Sequence, residues 1–294
     1  MIKSDQVGQL SLKHQKTKLL LNLFFSNDPT PSTRRAASEL GISRRSIQRM
    51  LSDLHLHPYR PRLIQQLNDD DPDRRIESCE KLLVMIEEDN SILDKIIWID
   101  EAVFKLNGHV NRHNLIYWSS ENPRIDIERD FNVPGICVWI GISSNGIIGP
   151  FFFDSNVTGE SYVEMLQNYF QSAVADWLDL NDLWYQHDGA PAHYSQIARE
   201  YSDEIFPEEW IGRRGPVEWP PRSPDLSPPD FFAWGVIKNE VYSKKPTSID
   251  QLQSEIINAF EQISINLCKK VCRSVESRLH KCIQPDGLHF EQDD

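Results

Sequence analysis

The sequence predicts a mixed α/β layer fold preceded by an all-helical head, and three observations point to it. Apolar residues recur at helical spacing before Lys95 and switch to short strand-like runs from there on. The charge is divided: residues 1–67 hold 11 Lys/Arg against 4 Asp/Glu, or +7, so a net −13 leaves −20 for the remainder. Two apolar runs also end in carboxylates, Lys95-Ile96-Ile97-Trp98-Ile99-Asp100-Glu101 and Trp184-Tyr185-Gln186-His187-Asp188. A basic head on an acidic body suits a head that meets phosphate while the body does something else.

The head begins with a helix expected over Leu10 to Phe25, ended by Asp28-Pro29 and Pro31. The stretch Ser32 to Leu51 then has the form of a helix-turn-helix. Small Ala37 lets two helices approach, Gly41 makes the turn, and Ser43 caps the second helix. Ile42, Ile47, Met50 and Leu51 form its inner face, which leaves Arg44, Arg45, Ser46 and Arg49 where base edges and phosphates would lie. A plain helical hairpin with a solvated arginine face is the competing reading. Arg34 and Arg35, on the preceding helix, suit phosphate better than bases. His57-Pro58-Tyr59-Arg60-Pro61-Arg62 reads as an extended linker whose arginines either track a groove or are solvated.

Asp71-Pro72 starts the next helix, with Asp71 as its cap and Ile76, Cys79, Leu82, Leu83 and Ile86 as its buried stripe. We divide the chain into a helix-turn-helix domain (1–57), a linker and helix (58–90), an α/β domain (91–285) and an acidic tail (286–294), the change of character falling near residue 68. Strands are expected at 95–100, 102–107, 115–118, 135–143 and 147–154, the last two joined by an Asn145-Gly146 turn. A helix over about 159–177, ending near Trp177, a strand at 183–187 and a helix at 193–203 follow. Residues 212–229, rich in proline, are loop, and helices at 230–242, 249–264 and 267–282 close the chain. Ser248-Ile249-Asp250-Gln251 has the form of a capping box.

Length and composition narrow the function. The 294 residues can hold a small domain and one of ordinary size. No apolar run approaches the roughly 20 residues of a membrane span, and the polar N-terminus is unlike a secretory signal. Five cysteines without a Cys-x-x-Cys pair argue against a disulfide framework or a zinc site, and for a reducing compartment.

Carboxylates carry the chemistry. Asp188 sits between an apolar strand and the breakers Gly189 and Pro191; it is either a helix cap or a metal ligand. Asp100 ends the earlier strand, and Asp230 stands at a helix start, with Asp225 as its rival. Three aspartates in one cleft repel one another, which makes sense if two divalent cations lie among them. Hard oxygen ligands select Mg²⁺ or Mn²⁺. Two such ions suit in-line phosphoryl displacement. Strand alternation turns Glu101 away from Asp100 and His187 away from Asp188, so Glu101 reads as a supporting or structural residue. His193 either orients a carboxylate, touches DNA, or is a capping or solvated histidine.

The motifs Trp98-Ile99-Asp100-Glu101, His187-Asp188-Gly189-Ala190-Pro191-Ala192-His193 and Ser223-Pro224-Asp225-Leu226-Ser227-Pro228-Pro229-Asp230 resemble those of the mariner/Tc superfamily of DNA transposases. Asn107-Gly108-His109-Val110-Asn111-Arg112 and Trp219-Pro220-Pro221-Arg222 are similar to the same group. The likeness runs from about residue 32 to the C-terminal region. It implies a ribonuclease-H-like catalytic domain whose triad falls on Asp100, Asp188 and Asp230, which prefers Asp230 over Asp225. It also implies two Mg²⁺ (or Mn²⁺) ions, cutting of transposon ends and joining of the freed 3′-hydroxyl to a TA dinucleotide. The partners implied are double-stranded DNA, as terminal inverted repeats and as target, and a second copy of the chain in a homodimer. The compartment implied is the nucleus. Two departures stand out. The 41 residues between Asp188 and Asp230 exceed the family's usual spacing, and only one helix-turn-helix is recognisable where the family usually carries two. A transposase-derived DNA-binding protein without transposition is the alternative.

Overall fold

The computed structural model describes residues 2–28, 32–57, 66–108, 133–175 and 182–291, with residues 2–14 described by their backbone alone. The chain divides into two compact units, Met1–Leu63 and Ile64–Asp294. Arg60, Arg62, the strand expected at 115–118, residues 109–112 of the Asn107 motif, Trp177 and residues 292–294 lie outside the described residues.

The first unit is three helices: α1 (Ile2–Asn27), α2 (Thr33–Leu40) and α3 (Arg44–Asp53). Helix α1 starts eight residues before the expected Leu10, because no proline interrupts that stretch. Ser32 caps α2 by accepting the Arg35 N–H at 3.2 Å, and Ser43 caps α3 by accepting the Ser46 N–H at 3.1 Å. Between them Gly41 adopts φ 64°, the left-handed conformation that ends a helix at little cost to glycine. Leu21, Ala36, Ile47 and Met50 are buried at the centre. The fully buried small residue is therefore Ala36, whereas Ala37 is half-buried and offers its carbonyl to the α2 cap.

The second unit begins with α4 (Asp71–Glu88) and the short α5 (Ile92–Lys95), followed by β1 (Ile96–Lys105), β2 (Gly135–Ser143) and β3 (Gly146–Phe153). Helix α6 (Gly159–Met165) runs through a π turn at Leu166–Phe170 into α7 (Gln171–Val174). Then come β4 (Trp184–Gln186), α8 (Gln196–Ile205), β5 (Trp210–Ile211), a π turn at Pro229–Ala233 leading into α9 (Trp234–Ser243), α10 (Ile249–Glu261) and α11 (Ile265–Ile283). The five strands form one sheet in the order β3-β2-β1-β4-β5. Strands β1 to β3 make an antiparallel meander, while β4 lies parallel to β1 and β5 parallel to β4.

Several boundaries differ from the sequence reading, each for a local reason. The runs 95–100 and 102–107 are one strand, since Glu101 is no turn former and pairing with β2 continues unbroken from Trp98 to Lys105. Helix α8 starts at Gln196 instead of His193, because Ser195 takes the cap position and accepts the Ala198 N–H. Helix α4 is capped from Asp70, so Asp71 falls in the first turn and accepts the Asn68 N–H at 2.7 Å. At α10 only half of the capping box forms: Ser248 accepts the Gln251 N–H, but the Gln251 amide oxygen takes the N–H of Thr247. Strand β5, two residues long, carries too little pattern to be read from sequence.

Residues of even number on β1 (Ile96, Trp98, Ala102, Phe104) are buried in a core with Cys79, Leu82 and Ile86 of α4 and with side chains of α9, α10 and α11. Odd residues Ile97 and Ile99 pack into a second core with α6, the π turn, α7 and α8. This period-two alternation covers both faces of the sheet with helices. Helix α4, grouped with the linker on sequence, is thus part of the domain core. The C-terminal stretch is partly drawn in as well: Phe290 is buried, and Gly287 accepts a hydrogen bond from Arg75. Among the described residues no helix is long and apolar enough to cross a membrane.

Candidate active site

Register aligns two runs that carry carboxylates. Trp98 on β1 pairs with Gln186 on the parallel β4. Asp100 lies two residues beyond Trp98 on β1, and Asp188 two residues beyond Gln186, just past the end of β4, so the two runs deliver their carboxylates to the same end of the sheet. Asp230 arrives separately, in the first turn of the Pro229–Ala233 π turn. That turn continues into α9, whose Trp234 donates its indole N–H to Asp100 Oδ2 at 2.6 Å. Asp100, Asp188 and Asp230 all line one cleft of about 650 Å³, together with Glu101, Arg74, Arg213 and Arg222.

The electrostatics of this cleft are those of crowded anions. Burial, then repulsion from Asp230 and Glu101, pushes the Asp100 carboxyl well above the usual range. Withdrawal from water and repulsion from Asp188 push Asp230 up to about 7. Lys238 of α9 is the nearby base; burial lowers its pKa against the pull of Asp100 and Asp230.

Asp188 is different because it has a histidine. Burial opposes its charged form, yet the bond from His193 Nδ1 to Asp188 Oδ1, 2.7 Å, holds the carboxyl below its ordinary range. The other ring nitrogen of His193 lies 3.0 Å from Glu101 Oε1. Burial alone would lower the pKa of this fully enclosed ring, but Glu101 and Asp188 together raise it to about 10. His193 therefore sits as an imidazolium between two carboxylates, with 1 % of its side chain exposed. Burial and the charge of His193 lower its stacked neighbour His187 to about 3, and His187 contacts the Tyr162 hydroxyl at 3.2 Å.

Glu101 does leave the strand on the opposite face from Asp100, but His193 ties it back to Asp188. The rival Asp225 is turned away: it is buried against Arg75 of α4, with oxygens 2.6 and 2.9 Å from the guanidinium nitrogens. The link from Glu101 through His193 to Asp188, the Trp234 bond and Lys238 are the groups that sequence reasoning did not assemble. Only the spacing of His193 from Asp188, one tight turn apart, carried a signal for them.

Among the described residues no three His, Cys, Asp or Glu side chains are gathered as a ready-made ion cage. The donor set is nonetheless of the right kind. It offers carboxylate oxygens alone, on a cleft wide enough for the waters that Mg²⁺ keeps.

In the first unit the proposed DNA contacts separate into two groups. Arg34, Arg45 and Arg49 are exposed. Arg35 is held by Glu39 at 2.7 Å, Arg44 donates to Thr33 Oγ1 at 3.2 Å, and the Ser43 and Ser46 hydroxyls bond each other at 2.8 Å beside the α3 cap.

No family model matches the chain. The Tc3 transposase of Caenorhabditis elegans is 26 % identical over 197 residues, covering 66 % of this chain and 56 % of that protein. The human histone-lysine N-methyltransferase SETMAR is 23 % identical over 282 residues, covering 92 % of this chain and 39 % of that protein. The chain thus spans about half the length, or less, of these relatives. In fold it matches the Mos1 mariner paired-end complex with Mn (TM-score 0.74, 18 % identity, 93 % of this chain and 79 % of that one). It also matches the pre-cleavage Mos1 transpososome (0.74, 18 %, 93 % and 80 %) and the isolated Mos1 catalytic domain (0.60, 19 %, 78 % and 100 %). By sequence and by fold, the chain is a relative of the mariner/Tc superfamily DNA transposases, with a ribonuclease-H-like α/β domain behind a helical N-terminal domain.

Proposed function

We propose that the chain is a metal-dependent DNA transposase that cuts transposon ends and joins the 3′-hydroxyl to target DNA. The observation that carries this reading is the cleft that Asp100, Asp188 and Asp230 share, with two of the three carboxyls pushed upward by burial and by repulsion from neighbouring carboxylates. Asp100, Asp188 and Asp230 would hold two Mg²⁺ or Mn²⁺ ions. When bound, such ions activate the attacking oxygen and stabilise the leaving oxygen of an in-line phosphoryl displacement. The chain's own residues fix the geometry. Trp234 orients Asp100, while His193 orients Asp188 and keeps it ionised. The likeness to solved Mos1 complexes with a transposon end, with Mn and with Mg supports a DNA partner and a divalent metal. A homodimer working in the nucleus remains part of the proposal.

The test is nicking of a labelled terminal inverted repeat by the full chain, with and without Mg²⁺. Asp188→Ala should abolish nicking while DNA binding stays within about twofold, since one side chain outside the helix-turn-helix carries little of the phosphate contact. Persistent cleavage by that variant would refute the assignment.

A second reading, a transposase-derived DNA-binding protein without transposition, is favoured by one observation. The chain matches SETMAR, a protein named for a different activity, over 92 % of its own length. Binding of inverted repeats with no nicking in Mg²⁺ or Mn²⁺ would select it.

A further inference from the structure

Three arginines gather around one tyrosine at the rim of the carboxylate cleft. The guanidinium carbons of Arg213, Arg214 and Arg199 lie 4.2, 5.0 and 5.6 Å from the centre of the Tyr194 ring. Arg199 comes from α8, whereas Arg213 and Arg214 come from the loop that follows β5.

That loop is braced, not loose. Gly212 donates its N–H to Val217 at 2.9 Å, and the Glu218 carboxylate accepts the Arg214 N–H at 2.8 Å. Arg214 is held at φ 62°, a conformation that a residue with a side chain seldom adopts unless its surroundings impose it. The Trp210 ring lies so close to Gly215 that an added Cβ would come within 2.7 Å of it. The braces hold two adjacent arginines near one aromatic ring.

Like charges this close repel, and the ring offsets only part of that repulsion. Among the described residues none of the three guanidiniums is in an ion pair, and the buried Nε of Arg199 donates to nothing. Such a cluster lacks an anion. Its position says which one: Arg213 lines the cleft shared by Asp100, Asp188 and Asp230, and its side chain backs onto Gly189. Tyr194 itself follows His193, the residue bound to Asp188.

We infer that Arg199, Arg213 and Arg214, organised by Tyr194, form a phosphodiester site that grips the DNA backbone where a strand enters the cleft. Planar guanidinium forks suit phosphate oxygens, and three of them from two elements fix the strand's direction relative to the carboxylates. The inference rests on the proposed nuclease reading for its ligand, but its test does not need cleavage.

The experiment uses the full chain carrying Arg44→Ala, Arg45→Ala and Arg49→Ala, so that binding by the helix-turn-helix is suppressed. A fluorescent mixed-sequence duplex is titrated in a salt series without divalent metal. Adding Arg199→Ala, Arg213→Ala and Arg214→Ala should weaken binding about tenfold and make the salt slope shallower by about three. The matching triple lysine variant should keep the slope, since it keeps the charge. Arg213→Ala alone, at an exposed position, should lower the slope by about one and guards against loss of fold in the triple variant. An unchanged slope in well-folded alanine variants would overturn the site. So would inorganic phosphate raising the melting temperature through these arginines while DNA binding ignored them. A chain that never nicks DNA yet loses slope as expected would sink the proposed function and leave this site standing.

Discussion

Arg75 and Asp225 face each other as two parallel hydrogen bonds, Nη1 to Oδ1 at 2.9 Å and Nη2 to Oδ2 at 2.6 Å, with 0 % and 3 % of their side chains exposed. The remaining donors of Arg75 are also used, by Gly287 O at 2.8 Å and Ser223 Oγ at 2.7 Å. One guanidinium therefore joins α4 to the loop before Asp230 and to the chain after α11. It anchors the loop from which the third cleft carboxylate emerges.

Removing one partner of so enclosed a pair strands the other's charge. Asp225→Ala is expected to cost about 3–5 kcal/mol of stability. Asp230→Ala should cost far less or stabilise the metal-free protein, because it removes a repelling carboxylate instead of a paired one. Urea unfolding of both variants without divalent metal checks the contrast. Equal losses would mean that the two aspartates do not have the opposite surroundings described above.

That contrast also shows what the sequence could and could not disclose. Asp225 and Asp230 stand in the same proline-rich stretch, and nothing local separates them; the partner that claims Asp225 is 150 residues away. The helix-turn-helix was legible because Gly41 and Ser43 act through their immediate neighbours. The strand bearing Asp100 and the strand leading to Asp188 were legible because buried strands are continuous apolar runs. Their pairing in parallel, which brings both carboxylates to one cleft, is a long-range register that no window contains. The single strand across Glu101 and the two-residue β5 were missed for the same reason: pairing partners, not propensity, define them.

His193 supplies the second prediction. It is buried, and its two ring nitrogens reach Asp188 and Glu101 at 2.7 and 3.0 Å. Partners that orient a metal-binding carboxylate typically contribute 10–100-fold in affinity or activity. His193→Ala should therefore raise the Mg²⁺ concentration needed for half-maximal nicking by about ten- to a hundredfold, with binding of the inverted repeat retained. A fall in maximal rate with no change in metal dependence would assign His193 to packing alone.

A pH effect is expected from a pair remote from the cleft. The Arg273 guanidinium, with oxygens of Asp94 at 2.7 and 3.1 Å, holds the Asp94 carboxyl below its usual value, though burial works the other way, and the Ser144 hydroxyl adds to the lowering. A carboxyl with a depressed folded pKa stabilises the protein above its unfolded value, about 3.9. That contribution is lost as pH falls through the folded pKa. Asp94→Asn should lose part of the wild type's decline in urea midpoint below about pH 4, with a small effect at pH 7 because Arg273 is 57 % exposed. Parallel midpoint curves for the two proteins across that window would exclude the linkage.

The head allows a test that separates free arginines from engaged ones. Arg45 and Arg49 are exposed, and among the described residues they form no ion pair; Arg35 is also exposed but held by Glu39 at 2.7 Å. A phosphate contact made by a free arginine releases about one counterion, so Arg45→Ala with Arg49→Ala should reduce the salt slope of binding to an inverted repeat by about two. Arg35→Ala should change it by less than about one, since breaking with Glu39 offsets part of what the phosphate returns. If a base edge is read by Arg45 or Arg49, the double variant will also narrow the gap between cognate and scrambled duplexes, about 1–3 kcal/mol for each bidentate contact. A reduced slope with that gap intact would make both residues phosphate contacts. A larger effect from Arg35 than from the other two would mean that α2, not α3, meets the DNA.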